Sequence, residues 1–200
     1  MTTTGEELDD SLARDDALAE RAREGSGSAF AELVTRHRDA VYAIARNMSA
    51  TIRDAEEVLQ QAFLAAWRDL RSFTKGASFT TWLYRIAMKT ALAQRQRDRR
   101  SPSLSLEPFV PAFDRAGRLV ESKGRWPELD GSSSGRTQVT GLLREALECI
   151  DDQPRAVFVL SDLLHLPVDE AAAILEVSPP AVRRDAHRAR LMLRGFIDQL

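Results

Sequence analysis

Apolar residues recur at three- and four-residue steps through most of this chain, and this spacing constrains the fold more than any other feature. Residues one turn apart share a face of an α-helix, so the pattern predicts amphipathic helices. The predicted helices cover 16–24, 28–48, 54–70, a stretch from 78 into basic residues, 137–150, a stretch near Pro154, 168–175, and the residues after Ser178. Almost no segment alternates with period two, so we expect an all-α fold of two small helical domains.

Residues 101–136 interrupt the helical pattern with four prolines and four glycines. Both residue types punctuate regular structure, so this segment is predicted to be an irregular linker. Its spaced apolar side chains favour a position in a groove of a partner or on the protein's own domains. The predicted organisation is a flexible N-terminus at 1–14, a first domain at 15–100, the linker, and a second domain at 137–200.

The single cysteine, Cys149, leaves the chain without an internal disulfide and predicts a cytoplasmic protein. The first 16 residues are acidic where a secretory signal would be apolar. No stretch reaches the roughly 18 apolar residues that span a bilayer. We therefore expect neither export nor membrane insertion.

The formal net charge of −2 conceals two basic segments in an acidic chain. Residues 68–100 hold nine basic and two acidic side chains, and residues 177–200 hold five and two, whereas 1–24 and 141–176 are acidic. Basic segments neutralise phosphates, although a charge run by itself is more often a solvated face. The sequence around each segment decides between these interpretations.

The second basic segment lies in a short helix, a three-residue turn and an arginine-rich helix, which is the pattern of a helix-turn-helix. Ser178 is the predicted N-cap of the second helix, and Pro179 suits its first position. The residues expected to reach DNA are Arg183, Arg184, His187 and Arg188. A helical hairpin that packs on a neighbour is the alternative.

The first basic segment interleaves aromatic and cationic residues, namely Phe73, Lys75, Phe79, Trp82, Tyr84, Arg85 and Lys89. Aromatic rings stack on unpaired bases while cations follow the phosphates, so this composition suits single-stranded nucleic acid. The alternative is core packing. Periodicity assigns Trp82 and Ile86 to the core and predicts that Tyr84 and Arg85 are exposed.

Three strings carry a family resemblance. The strings DAEEVLQQAFLAAW at 54–67 and FTKGASFTTWLYRIA at 73–87 resemble region 2 of bacterial sigma-70 factors of the extracytoplasmic-function group. The string LPVDEAAAILEVSPPAVRRDAHRAR at 166–190 is similar to their region 4. Together the strings occupy both predicted domains, in the order and separation of that family.

The resemblance implies an alternative sigma factor with no catalytic chemistry and no cofactor or metal. It assigns Asp54, Glu57, Gln60 and Gln61 to the clamp coiled coil of core RNA polymerase. It assigns the loop from Phe73 to Ser78, with Lys75, and the next helix to reading and melting the minus-10 element by capturing a flipped base. It places region 4 on the polymerase flap and the minus-35 element, and it implies regulation by an anti-sigma factor.

The sequence also departs from the family pattern at five positions. Gln61 stands where glutamate is usual, Lys89 where asparagine is common, and Glu176 where the helix-turn-helix favours glycine. Asp185 and Ala186 replace a basic and a large apolar residue. These departures bear on contact details and on the packing of the recognition helix.

Two other functions compete with the sigma factor interpretation. A stand-alone helix-turn-helix regulator of duplex DNA leaves the string at 54–87 unexplained. An all-α enzyme or ligand-binding protein is weakly supported, because His37, His165 and His187 lie in separate predicted elements.

Overall fold

Every regular element that the structure describes is helical, in a computed structural model that covers residues 3–73, 78–98 and 133–197. The α-helices are α1 (Thr3–Arg23), α2 (Gly27–Met48), α3 (Ile52–Asp69), α4 (Phe79–Asp98), α5 (Ser133–Glu148), α6 (Asp152–Phe158), α7 (Val168–Leu175) and α8 (Pro179–Ile197). A 3-10 turn (Leu70–Ser72) follows α3, and a π-helical segment (Val159–Leu163) follows α6. The prediction of an all-α fold is confirmed.

The chain divides into two compact units. The first consists of residues up to Arg97 together with Ala172–Glu176, and the second of Asp98–Ala171 and Val177–Leu200. The predicted linker at 101–136 lies almost wholly outside the described residues. Helix α5 begins at Ser133, four residues before the predicted start at 137.

Helix α1 is longer than predicted and ends as predicted. It begins at Thr3 instead of residue 16, so the described part of the stretch predicted as a flexible N-terminus at 1–14 is helical. Leucine, alanine and glutamate in this stretch are good helix formers, although they form no regular apolar stripe. At the other end Gly25 has a φ of 105°, and the N–H of Ser26 donates to the carbonyl of Arg21 at 3.0 Å. This is a Schellman ending, which requires the left-handed conformation that glycine adopts without strain.

Side-chain caps fix where α2 and α3 begin. The N-cap of α2 is Ser26, whose Oγ accepts the N–H of Ala29 at 3.3 Å, so α2 begins at Gly27, one residue before the predicted start at 28. Helix α3 begins with a capping box in which Thr51 and Asp54 each accept the other's backbone N–H. Both helices therefore start from oxygens that satisfy otherwise unpaired N–H groups.

The core of the first unit depends on a close contact between α2 and α3. Helix α3 buries three alanines and a valine on this side, namely Ala55, Val58, Ala62 and Ala66. Helix α2 places larger residues against the interior, namely Leu33, Val41, Ile44 and Met48. Small residues on one helix and large residues on the other fill the space between two helices without voids.

The second unit has its own apolar core, built from α5, α6 and α8. Its buried members are Ala146, Leu147, Ile150, Phe158, Ala189, Met192 and Leu193. Helix α8 therefore has one apolar face, and its remaining faces are available to solvent. The predicted bounds of α7 and the predicted start of α8 after Ser178 agree with the structure.

Candidate functional site

The outward face of α3 carries polar side chains next to an exposed leucine. Glu57 and Gln60 are exposed, and Gln61 is half-buried and donates from its Nε2 to Glu57 Oε1 at 2.7 Å. Leu64 follows one turn later and is 60% exposed. A large apolar side chain left in water among polar neighbours is a feature of protein interaction surfaces when it belongs to a patch.

Asp54 lies at the start of the same helix but has a structural role. Its Oδ2 accepts the Thr51 side-chain hydroxyl at 2.5 Å and the Thr51 backbone N–H at 3.3 Å. This carboxylate is half-buried and completes the capping box of α3. Substitution of Asp54 would therefore weaken the helix as well as any contact with a partner.

Trp67 extends the exposed face of α3 by one further turn. The side chain of Trp67 is 45% exposed. Its ring packs against Phe30 of α2, with ring centroids 4.9 Å apart. Leu64 was not among the predicted contact residues, although it lies three and four residues after Gln61 and Gln60 and therefore shares their face of the helix.

The prediction that Tyr84 is exposed is wrong, and Phe73, a second aromatic residue of the predicted minus-10 contact, is buried as well. Phe73 is 2% exposed and Tyr84 is 7% exposed. Phe73 packs against Phe79 and Trp82, with centroids 5.8 and 5.6 Å away, and Tyr84 packs edge-on against His37 at 5.9 Å. The aromatic residues of this segment thus form a core cluster, and Trp82 and Ile86, which were assigned to the core, are only half-buried.

A buried histidine lies inside this aromatic cluster. His37 Nε2 lies 2.9 Å from Asp15 Oδ2, and the Asp15 Oδ1 accepts a hydrogen bond from Arg36 at 3.1 Å. Burial lowers the pKa of His37 from its ordinary value of 6.5, and the attraction of Asp15 only partly opposes this effect. His37 is therefore neutral at pH 7 and holds α1 against α2.

We expect the first unit to lose stability as the pH falls below about 6.5. In the unfolded chain His37 has its ordinary pKa and takes up a proton first, whereas the folded state with its lowered pKa resists protonation. The contribution of neutral His37 to stability is therefore fully present above the pKa of the unfolded state. It decreases as the pH falls toward the lower pKa of the folded state. Thermal unfolding of His37→Gln between pH 7.5 and 5.5 should show a weaker pH dependence, while the exposed control His165→Asn should follow the wild type.

Ser78 immediately precedes α4, and two cations, Arg85 and Lys89, lie further along this helix. Ser78 is half-buried, and its Oγ accepts the N–H of Thr81 at 3.2 Å. Lys89 is exposed, and its Nζ lies 2.9 Å from Glu176 Oε2 within the first unit. Arg85 is half-buried and donates to the carbonyl of Ala173 at 2.9 Å. Lys75 lies outside the described residues.

The outward face of α8 displays the basic residues that the helix-turn-helix pattern predicts. Its exposed basic residues near the N-terminus are Arg183, Arg184, His187 and Arg188, and Ser178 before it is also exposed. Arg188 pairs with Asp151 at 3.2 Å, and Arg184 pairs with the adjacent Asp185, also at 3.2 Å. In the described part of the chain, Arg183 and His187 have no hydrogen-bonding or ionic partner.

The departures in this region have visible structural consequences. Asp185 and Ala186 are both buried, so the two unusual residues face inward and leave the outward face of α8 basic. Glu176 has a φ of 57° in the turn between α7 and α8, where glycine avoids the strain that a side chain incurs. Lys89 first, and then Arg85, lower the pKa of the Glu176 carboxyl.

The described residues contain no group of three or more histidine, cysteine, aspartate or glutamate side chains arranged to hold a metal ion. Among the helices described, none combines the length and apolar character that crossing a bilayer requires.

Two family models match the chain, Sigma-70 region 2 at residues 33–101 and Sigma-70 region 4 at residues 140–193. The sigma-E factor of Escherichia coli K12 is 33% identical over 191 residues, covering 93% of this chain and 95% of the relative. CnrH of Cupriavidus metallidurans is 31% identical over 186 residues, covering 92% and 94%.

The solved structure of CnrH with the cytosolic domain of CnrY has a TM-score of 0.68 at 27% identity, covering 93% of this chain and 98% of that one. The structure of Bartonella quintana RpoE with NepR has a TM-score of 0.61 at 22% identity, covering 84% and 96%, and supports the fold. The chain therefore belongs to the sigma-70 family, in its extracytoplasmic-function group of alternative sigma factors, which bind core RNA polymerase and direct transcription initiation.

Proposed function

We propose that two regions of the chain divide promoter recognition between them. Region 2, at 15–100, docks on core polymerase through α3 and contacts the minus-10 element through α4, and region 4, at 137–200, reads the minus-35 element through α8. Residues 101–136 connect them. The single observation that carries this proposal is the outward basic face of α8 on a separate apolar core, in a chain whose other half matches region 2.

The proposed polymerase contact on α3 consists of Glu57, Gln60, Gln61 and Leu64, with Asp54 at its edge. Two observations support this surface: the side chains share the face opposite the buried alanines, and Leu64 is exposed among them. Polar groups around an apolar residue are the usual arrangement of a non-obligate interface.

The proposed minus-10 contact involves Ser78, Arg85 and Lys89 of α4, with Lys75 next to it in sequence. Phe73 and Tyr84 are removed from the proposed set, because buried rings cannot stack on a base without leaving the core. In place of the rings, positive charge near α4 would hold the phosphates of the separated strand.

The proposed minus-35 contact is made by the basic side chains at the start of α8. Arginine forms two hydrogen bonds with guanine in the major groove, and a helix that docks by its N-terminal end brings its early residues closest to the bases. Arg183 suits this role because it is exposed and has no partner in the described residues. Ser178, Arg184, His187 and Arg188 complete the set.

Arg183→Ala is expected to relax the preference at one minus-35 position and to lower affinity by about 1–3 kcal/mol. Arg194→Ala lies about three turns along α8 and should leave the preferred sequence unchanged. The measurement is selection of minus-35 sequences from a randomised pool by holoenzymes that contain each variant. Identical preferences for the wild type and Arg183→Ala would remove this residue from base recognition.

An anti-sigma factor is also part of the proposal. The solved structure of the relative CnrH contains the cytosolic domain of CnrY, and this relative covers most of the present chain. By analogy, a partner of this kind would compete with core polymerase for the protein. We further propose that the protein works in the cytoplasm and has no catalytic activity of its own.

Titration of the purified chain with core RNA polymerase tests the proposal against a stand-alone helix-turn-helix regulator. A stable complex that initiates transcription from a selected promoter is expected. Binding of duplex DNA with no affinity for core polymerase would favour the stand-alone regulator instead.

A further inference from the structure

Two adjacent acidic residues of α1 contact different parts of the first unit. Asp15 is buried and bonds to His37 and Arg36 of α2. Asp16 is half-buried, and its Oδ1 accepts the backbone N–H of Phe79 at 2.8 Å, across 63 residues of sequence. Consecutive helical residues point about 100° apart, so α1 can bond α2 with one carboxylate and the start of α4 with the next.

The bond from Asp16 satisfies a group that α4 cannot satisfy by itself. The first N–H groups of an α-helix have no partner inside the helix. Ser78 accepts two of them, the N–H of Thr81 with its Oγ at 3.2 Å and the N–H of Trp82 with its carbonyl at 3.1 Å. The Phe79 N–H needs an acceptor from elsewhere, and Asp16 provides it.

The side chain of Phe79 is held by the same part of α1, through His37. The Phe79 and His37 rings lie 5.6 Å apart, and His37 is oriented by its contact with Asp15. Phe79 also packs against Phe73 and Trp82, at 5.8 and 5.7 Å. The first residue of α4 is thus fixed at its backbone by Asp16 and at its ring by a histidine that Asp15 orients.

We propose that Asp16 is a positioning residue for promoter melting. Asp16 lies before residue 33, where the match to the region 2 family model begins, so the matched residues do not include it. A long helix is stiff, so fixing the first turn of α4 also fixes where Arg85 and Lys89 lie relative to the rest of the first unit. This inference rests on the proposed contact between α4 and the minus-10 element.

The test compares holoenzymes that contain wild type, Asp16→Ala, Asp16→Asn and the control Glu20→Ala. Glu20 is a carboxylate one turn along α1 that pairs with Arg23 in the same helix. The probe is the single-stranded minus-10 oligonucleotide that the wild-type holoenzyme selects. Affinity for core polymerase is measured in parallel, together with hydrogen exchange of the Phe79 amide in the free protein.

Asp16→Ala is expected to weaken oligonucleotide binding and to speed exchange of the Phe79 amide, each about tenfold, because a hydrogen bond to a charged acceptor is lost. Core polymerase affinity should stay within about twofold, because α3 does not contact Asp16 through any bond found in the described residues. Asp16→Asn keeps an oxygen acceptor and should restore most of the binding. Glu20→Ala should match the wild type.

Equal losses of core polymerase and oligonucleotide affinity in Asp16→Ala would overturn the inference, since they would indicate general unfolding. Oligonucleotide binding equal to that of Glu20→Ala would also overturn it. If Asp16→Ala does not fold, Asp16→Glu carries the test, since one added methylene displaces the acceptor and should still weaken oligonucleotide binding alone. The proposed function fails separately if the double variant Arg85→Ala, Lys89→Ala binds the oligonucleotide as tightly as the wild type does.

Discussion

Replacing Glu57 and Leu64 together by arginine is expected to lower the affinity for core RNA polymerase at least about a hundredfold. Both side chains lie on the outward face of α3, and Leu64 is 60% exposed, so the substitutions add no volume to the core. A charge forced into the apolar part of an interface loses its hydration without a partner, and each 1.4 kcal/mol of that cost is a factor of ten in the dissociation constant.

The measurement is equilibrium binding of fluorescently labelled protein to core polymerase, with circular dichroism to confirm that helicity is retained. Asp39→Arg is the matched control, because Asp39 is an exposed carboxylate on α2 and lies outside the proposed contact. The control should bind core polymerase within about threefold of the wild type. Wild-type affinity in the double variant would exclude this face of α3 from the contact.

Phe73→Ala is expected to destabilise the first unit by about 3–5 kcal/mol, because a buried phenylalanine leaves a cavity when it is truncated. The ring is 2% exposed and lies against Phe79 and Trp82, so its neighbours lose contacts on one side. In a domain of this size each kcal/mol lowers the melting temperature by about 4–8 °C. The expected decrease therefore exceeds 10 °C, as measured by differential scanning calorimetry or thermal circular dichroism.

Trp67→Ala is the matched control for this prediction, since it removes a large aromatic ring that is already 45% exposed. Its effect on the melting temperature should be less than half that of Phe73→Ala. A Phe73→Ala protein that unfolds at the wild-type temperature but fails to open promoter DNA would contradict the core assignment, because the ring would then contact the bases.

The fold class followed from the sequence because helical periodicity is a local property that each segment shows by itself. The starts of α4 and α8 and both limits of α7 were also predictable, since Ser78 and Ser178 mark the starts of the helices that follow them. Helix α1 was underestimated because its first half has no regular apolar stripe to read. Sequence patterns therefore predict a helix well where an N-capping residue precedes apolar residues at helical spacing.

The candidate site was harder to predict, because exposure depends on neighbours that are distant in sequence. Periodicity in α4 assigned Trp82 to the core and predicted that Tyr84 is exposed, whereas Tyr84 is buried because His37 of α2 packs against it. The bond between Asp16 and Phe79 joins residues 63 positions apart. Neither the sequence around Asp16 nor the sequence around Phe79 indicates it. On α8 the prediction of exposed cations agrees with the structure, since one apolar stripe already determines the outward face.

The alanines that α3 places against α2 also determine how readily this protein could acquire a different partner. Because the inward face of α3 already packs closely, a larger residue there would force the helices apart and destabilise the unit. The outward face contacts solvent at Glu57, Gln60 and Leu64, so it can change one residue at a time with little effect on folding. Folding therefore restricts the inward face of α3 to small residues, whereas what α3 binds restricts its outward face.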